Sequence, residues 1–453
     1  MPIYTGNTTV NSAITSTSLT EMSPQSYLVT NALRNTVRPT LLLPFNESTV
    51  VDPRITFTRA SSATYFNKLG VLTTAAANVP RIDYNSSTGA CLGLLIEQSS
   101  TNVYYPSTNW WPNSSPSGLI NGVTQNAGVG PDGSSTAMSL VPSTTNTIVH
   151  YNYGVFTASP STTYTCSVFL KANGYSFARI GLENSSFATN MYVSFDLSAG
   201  TITSQSANSS GTITACANGW YRVTVTNTTL STIGNTVASI FVFNTGTGAS
   251  YAGDGVSGIL AWGIQAEALS FSTSYIATTS AAATRSADLA VISGTNFSSW
   301  YNTTASTILI AAQKNTSADT GYGGVVELNN NTVNNRLQFY VAPSSKTLHW
   351  ADEYTSNTTD ADLTVGTYTL STAYRAAGSI TGALSTSGNI SASLNGVTAV
   401  TGTTGNFPGV SFTQMQIGSL SGGSGGNFMN GWIQRIAYYP VAFSTTQLQA
   451  MTS

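Results

Sequence analysis

The sequence predicts an all-β protein: two successive antiparallel β-sandwich (jelly-roll) domains after an extended N-terminal leader, with little helix. Three observations carry this. Many short stretches alternate apolar and polar residues with period two, and Gly- and Asn-rich turn sequences bound them. Aromatic residues are plentiful, with 7 Trp, 22 Tyr and 17 Phe in 453 residues. Charged residues make up only 7% of the chain, and the formal net charge is −2. Disordered chains combine high net charge with few aromatics, so ordered strands are favoured here.

Taken in order, residues 1–43 read as the leader, polar at first and then mixed, with a weak helical pattern in "SYLVTNALRN". Residues 44–104 form a motif region, 105–277 a first β-module, 278–296 a connector and 297–453 a second β-module. In the first module "YTCSVFLKANG" points Cys166, Val168 and Leu170 one way and Ser167 and Lys171 the other. In the second, "STILIAAQ" groups Ile308, Ile310 and Ala312, and "RLQFYV" groups Leu337, Phe339 and Val341. "GWIQRIAYY" groups Trp432, Ile436 and Tyr438 with Gln434. Trp220 and Trp432 therefore read as packing residues. Asn395-Gly396 signals a type I′ hairpin turn, because both central residues need positive φ. A two-residue loop would set Leu394 opposite Val397, Ala392 opposite Ala399 and Ile390 opposite Thr401. The best helix is the C-terminal "FSTTQLQAM", where Ser444 and Gln447 have capping-box spacing.

Composition excludes several function classes. Of 15 basic residues only Lys68, Lys171, Lys314 and Lys346 are lysines, and they are scattered. The pI is about 5.6, so no basic stripe exists to displace counterions, and nucleic acid is not an expected partner. Mean hydropathy is +0.04, and no apolar run approaches the ~18 residues of a membrane span. The N-terminus lacks the basic and apolar regions of a signal peptide. Few charges imply that stability depends weakly on salt and pH. Cys91, Cys166 and Cys216 are odd in number and match no zinc spacing, so buried free thiols are expected, with a Cys166–Cys216 bridge as the alternative.

No catalytic constellation stands out, and an enzyme is not expected. The two histidines are His150 and His349; His349 alternates with Leu348 and Trp350 and should face outward from a strand. The Gly-rich "SLSGGSGGN" lacks the Lys-Ser/Thr of a phosphate loop. Carboxylates cluster once, around "WADEYTSNTTDADL". That stretch is open to three readings: a solvated loop, a calcium site using Asp352, Asp360 and Asp362 with Asn357, or an opposed glycosidase pair. Exposed aromatic platforms would be the mark of glycan binding. The candidates are Trp110, Trp111, Tyr322, Trp350 and Tyr354.

The segment "ITFTRASSATYF" places Arg59 on one strand face with Ile55 and Phe57. An arginine on an apolar face needs acceptors. Asp83 and Glu97 are candidates, Arg81 would complete a small network, and Arg285 with Asp288 in "ATRSADLA" could hold the interface to the last module.

"ITFTRASSATYFNKLGVLTTAAANVPRIDYNSSTGACLGLLIEQSSTN", from Ile55 to Asn102, resembles a motif of bacteriophage head fibre, head spike and tail fibre structural proteins. The family pattern is a "FTRAS-AT" run, then "G-L-TAAANVPR-D", then "GLLIE---TN", and every element is present. "TTYTCSVFLKANG", "NGWYRVTVT" and "LAWGIQAEALSFSTSYI" look like a carbohydrate-binding-module-type jelly roll. "FMNGWIQRIAYYPVAFSTTQLQAM" looks like the close of a concanavalin A-like, laminin-G-like sandwich. The resemblance implies a virion protein displayed on head or tail, made in the host bacterial cytoplasm. It implies contacts with other virion proteins through the leader, self-association as a homotrimer and attachment to host-surface glycans. The alternatives are a capsid decoration or tail-adaptor protein without receptor binding, and a polysaccharide depolymerase.

Overall fold

Period-two alternation becomes strand almost everywhere in the computed structural model, which describes residues 37–453 apart from 109, 111–119, 145–147, 188–190, 249, 317–320, 333, 343, 355–358, 382–387, 405–410 and 421–426. Two antiparallel sandwiches result. In the first, a five-stranded sheet runs His150–Phe156, Thr236–Phe243, Phe177–Glu183, Tyr192–Asp196, Thr201–Gln205. It faces a six-stranded sheet ordered Ser210–Ala215, Tyr221–Thr228, Thr163–Asn173, Gly258–Glu267, Ala137–Pro142, Ile120–Gly128. Cys166, Val168 and Leu170 point into the core between them, with Ile180, Val193 and Val223. Phe169 points the other way and meets Leu72, Trp220, Trp262 and Tyr275, so the Thr163–Asn173 strand is buried on both faces.

The second sandwich does not respect the boundaries expected at residues 43, 104 and 296. Leu41–Leu43 pairs with Gly431–Tyr439, and Ile82–Tyr84 and Cys91–Ile96 extend the same eight-stranded sheet. Thr56–Thr58 pairs with Leu289–Ser293 at one edge of the opposing seven-stranded sheet. Leu41, Phe45, Phe57, Leu94, Ile96 and Ile292 accordingly share one core with Ile308, Phe339 and Ile436. Thr56–Thr58, Ile82–Tyr84 and Cys91–Ile96 of the motif region and Leu289–Ser293 of the connector are thus strands of the C-terminal sandwich, whereas Ala63–Phe66 with Leu72–Ala75 and Ser100–Asn102 with Ala283–Arg285 pair as separate two-stranded sheets; the first sandwich is an insertion within the C-terminal one. Local alternation specifies that a segment is a strand, but its partners can lie hundreds of residues away.

Two local expectations are corrected in register. Asn395 and Gly396 both have positive φ, 47° and 75°, and the Val397 N–H donates to the Leu394 carbonyl at 3.0 Å, as the turn requires. The strands then pair one residue later than expected, with Ala392 opposite Val400 and Ile390 opposite Gly402. The Ser393 hydroxyl donates to the Val397 carbonyl at 2.7 Å, and the Gly396 N–H donates to Thr452 Oγ1 at 3.0 Å. These bonds replace ladder bonds and push Val397 outward.

In Gly431–Tyr439, Ala311 faces Arg435 but Ala312 faces Ile433, so Gln434 is a bulge residue. The bulge reverses the alternation. Ile433 rather than Trp432 joins Ile436 and Tyr438 in the core.

The helix Thr445–Thr452 carries the full capping box between Ser444 and Gln447. Its Leu448 and Met451 cover Leu309, Ala377 and Ala437 on the outer face of the eight-stranded sheet. Each side chain so buried stabilises by about 1.5–3 kcal/mol. The cysteines are free, with Cys166 and Cys216 buried and Cys91 half-buried.

Candidate functional site

The charged residues of the motif converge where the two sandwiches meet. Arg59 Nη1 lies 3.1 Å from Asp288 Oδ1, and Arg81 Nη2 lies 2.5 Å from Asp288 Oδ2 and 2.9 Å from Glu97 Oε2. Arg285 Nε lies 3.6 Å from the same Glu97 oxygen. All five residues are buried. Several of their other polar atoms bond to the backbone around them. Arg59 donates to the Ser61 and Ala76 carbonyls, Arg81 to the Thr64 carbonyl, and Arg285 to the Gln98 carbonyl. Asp288 Oδ2 also accepts the Glu97 N–H at 2.9 Å. Ser274 of the first module donates its N–H and hydroxyl to Glu97, at 2.8 and 2.7 Å. The cluster therefore fastens the motif to both the Arg285–Asp288 segment and the first sandwich.

Asp83 departs from the expectation. It forms no ion pair within 4.0 Å among the described residues. Its two oxygens accept the Phe66 N–H at 2.7 Å and the Trp432 indole N–H at 2.8 Å. The Gln434 bulge is what brings Trp432 there.

Burial pushes the Asp83 carboxyl up to about 6, against the Trp432 and Phe66 bonds. Burial also works against Glu97, but Arg285 and Arg81 outweigh it and hold that carboxyl down at about 2. The two groups have opposite linkage signs. Asp83 stabilises the fold most below its unfolded value of 3.8, and that contribution is lost as pH rises through about 6. Glu97 stabilises above its unfolded value of 4.5, and its contribution is lost as pH falls through about 2. Together they favour the fold most near pH 4. Thermal unfolding across a pH series should show a melting temperature higher at about pH 5 than at about pH 7, by roughly 1 kcal/mol of stability, and falling below about pH 3. A flat profile from about pH 3 to 8 would contradict this.

Beside the cluster, a cleft of about 680 Å³ opens between the sandwiches. Asp83, Glu97, Thr212, Arg222, Ser274 and Trp432 are among its walls. Asp83 and Glu97 are carboxylates with environments pushed apart, yet both are engaged in the structural bonds above.

A second arrangement lies on the outer face of the seven-stranded sheet. Tyr340 and His349 are opposite in register, and their rings stack at 4.7 Å and 12°. Tyr340 Oη donates to Asp362 Oδ2 at 2.7 Å, and His349 Nδ1 lies 2.9 Å from Asp362 Oδ1. Thr347 Oγ1 lies 2.9 Å from His349 Nε2. Tyr322, 56% exposed, stands edge-on to Tyr340 at 5.2 Å. Burial opposes the charge on Asp362, but the His349 and Tyr340 bonds hold its carboxyl below the usual range. Burial and the Asp362 carboxylate push the Tyr340 phenol up. The result is a rigid aromatic surface with a fixed carboxylate and hydroxyls at its rim. Such a surface can stack on the C–H face of a sugar ring and accept hydroxyl protons.

Of the aromatic candidates, Tyr322 is therefore on an exposed platform. Trp110 is buried in the first core and Trp350 in the second, so neither presents a face. Trp350 occupies an inward position of its strand, its ring tilted 35° to that of Phe339 at 4.4 Å. Trp111 and the side chain of Tyr354 lie outside the described residues, as do Asn357 and the Asp360 side chain.

The calcium grouping is not formed by the described residues. Asp362 is opposite Ala351, whereas Asp352 is opposite Ala361, so the two carboxylates project from opposite faces of the sheet. Asp352 is buried while Asp362 faces outward onto His349. Among the described residues no three His, Cys, Asp or Glu side chains are grouped to hold a metal ion.

Tyr340 and His349 were missed as partners. Both sit at outward strand positions, but their meeting depends on the Asn335–Ala342/Thr347–Tyr354 register across a turn with Lys346 at positive φ.

No protein-family model matches the chain. No curated protein matches it. Among solved structures, a native heptameric SAP-like pentraxin from Limulus polyphemus is similar at 16% identity, over 33% of this chain and 70% of that one, with a TM-score of 0.24.

Proposed function

We propose that the chain is a structural and adhesive component of a bacteriophage virion, an externally displayed head or tail fibre or spike that attaches to host-surface glycans. The observation that carries the adhesive part is the Tyr322–Tyr340–His349 aromatic cluster, in which Tyr322 is exposed and Tyr340 and His349 are half-buried, with Asp362 bonded to the latter two. The "FTRAS", "TAAANVPR" and "GLLIE" elements support the virion part through their resemblance to phage fibre proteins. A surface of Ser, Thr and Asn with 7% charge suits contact across varied salt conditions. Docking to other virion proteins through the N-terminal leader and assembly as a homotrimer belong to the same proposal, and a native mass measurement tests the trimer.

A glycan array probed with the full chain tests the adhesive role. Binding is expected, and Tyr322→Ala should weaken it about tenfold, the equivalent of one lost stacking contact. No binding to any glycan, with immunogold labelling distributed along the capsid, would favour a decoration protein instead.

A further inference from the structure

Thr347 and His349 lie two positions apart on one strand and so share a face. Thr347 Oγ1 is 2.9 Å from His349 Nε2, and His349 Nδ1 is 2.9 Å from Asp362 Oδ1. A hydroxyl, an imidazole and a carboxylate are thus joined in series through opposite ring nitrogens. Nucleophile, base and orienting group stand in this order at acyl-transfer sites.

Asp362 fixes where the protons sit. Against burial, the His349 and Tyr340 bonds hold its carboxyl below the usual range, so near neutral pH it only accepts. Tyr340 Oη donates to Oδ2, which leaves Oδ1 for His349. In the neutral ring Nδ1 therefore carries the proton, and Nε2 is the acceptor. Thr347 then donates to Nε2. Ser345 Oγ, 2.6 Å from Thr347 Oγ1, donates to Thr347 in turn. The Tyr340 ring, 4.7 Å from the imidazole and 12° from parallel, holds its orientation. Thr347 is half-buried and Ser345 beside it is exposed, so a reagent can reach the hydroxyl from solvent.

We propose that Thr347 is a nucleophile and that this face hydrolyses carboxylic esters. Thr347 Oγ adds to the ester carbonyl carbon while its proton passes to His349 Nε2, and Asp362 stabilises the imidazolium. The bond from the carbonyl carbon to the alcohol oxygen breaks. The alcohol leaves with the proton from Nε2, and an acyl-threonine remains. Water then attacks the acyl carbon and gives a proton to the same Nε2. Thr347 Oγ leaves, takes that proton back, and the carboxylic acid departs. The sum is ester plus water giving acid plus alcohol. Ser345 offers one hydroxyl donor beside the developing oxyanion, which sets a slow rate and makes an activated ester the fitting substrate. These residues belong to the adhesive cluster, but the activity does not rest on glycan binding, because a small ester reports on it whatever a glycan array shows.

Two probes test the full chain. Release of p-nitrophenolate from p-nitrophenyl acetate is expected to exceed that by equimolar imidazole. A fluorophosphonate, whose phosphorus bonds to Thr347 Oγ as fluoride leaves, should label the peptide that contains Thr347, read by mass spectrometry. Thr347→Val should abolish the label and slow ester hydrolysis at least about tenfold, and Asp362→Asn should slow it by at least as much. Thr347→Ser keeps the hydroxyl and should keep both signals. Thermal melting verifies that each variant folds.

No label on Thr347 in the parent chain overturns the proposal, and this readout needs no variant. So does release no faster than by imidazole. A rate unchanged in folded Thr347→Val would assign the reaction to His349 alone and also overturn it.

Discussion

Asp288→Ala is expected to lower the stability of the folded chain by about 3–5 kcal/mol, the usual cost of removing one partner from a buried charge pair. Asp288 is the shared counter-ion of Arg59 and Arg81, at 3.1 and 2.5 Å, and also accepts the Glu97 N–H. Its loss strands Arg59 with no carboxylate within 4.0 Å among the described residues and leaves Arg81 only Glu97. Both guanidinium groups are buried, so water cannot replace the lost acceptor without opening the junction. The effect should appear as a lower urea midpoint, followed by tryptophan fluorescence. Arg59→Ala should also destabilise, by a smaller amount, because it leaves Asp288 paired with Arg81. A midpoint unchanged by Asp288→Ala would show that the cluster is hydrated and that the motif is held by its apolar residues instead.

Trp350→Ala is expected to cost about 3–5 kcal/mol, as for other large aromatic deletions from cores. The indole lies between Phe339 and the backbone of Gly378, where an added Cβ would stand 2.6 Å from the indole ring. The facing Gly378 has no side chain of its own to fill the vacated space, which favours a residual cavity. Glycan binding by any surviving folded fraction should be unchanged. Weakened glycan binding with normal stability would falsify this and return Trp350 to the list of binding residues. The contrast with Tyr322 is useful. Trp350 lies within a strand of the seven-stranded sheet and Tyr322 just before another, but Tyr322→Ala should affect binding and not folding, since the ring is 56% exposed.

Much of the secondary structure is legible because it depends on neighbours in sequence. The runs containing Ile308 and Ile310, and Leu337 and Phe339, are inward-facing strands as alternation requires. The Ser444–Gln447 cap and the Asn395-Gly396 turn also form, since each is a contact over two or three residues. Legibility weakens wherever one residue is inserted. The Gln434 bulge turns Trp432 out of the core and onto Asp83, and the Ser393–Val397 bond shifts the hairpin by one. A single-residue slip is invisible to composition yet reverses every facing beyond it.

The sequence by itself determined the strand content, the capped terminal helix and the scarcity of charge. Scarcity of charge also singled out Arg59, Arg81, Asp83, Glu97, Arg285 and Asp288 as a set, of which Asp83 forms no ion pair among the described residues. Only the tertiary structure decided that Asp288, more than 200 residues from Arg59 and Arg81, is their common partner. It also decided that Asp83 bonds to Trp432, and that Tyr340, His349 and Asp362 form one surface. It further made strands of the motif part of the C-terminal sandwich, with the first sandwich inserted in it. The physical reason is the same in each case. Backbone alternation encodes which way a side chain points, whereas pairing between distant strands encodes what it meets.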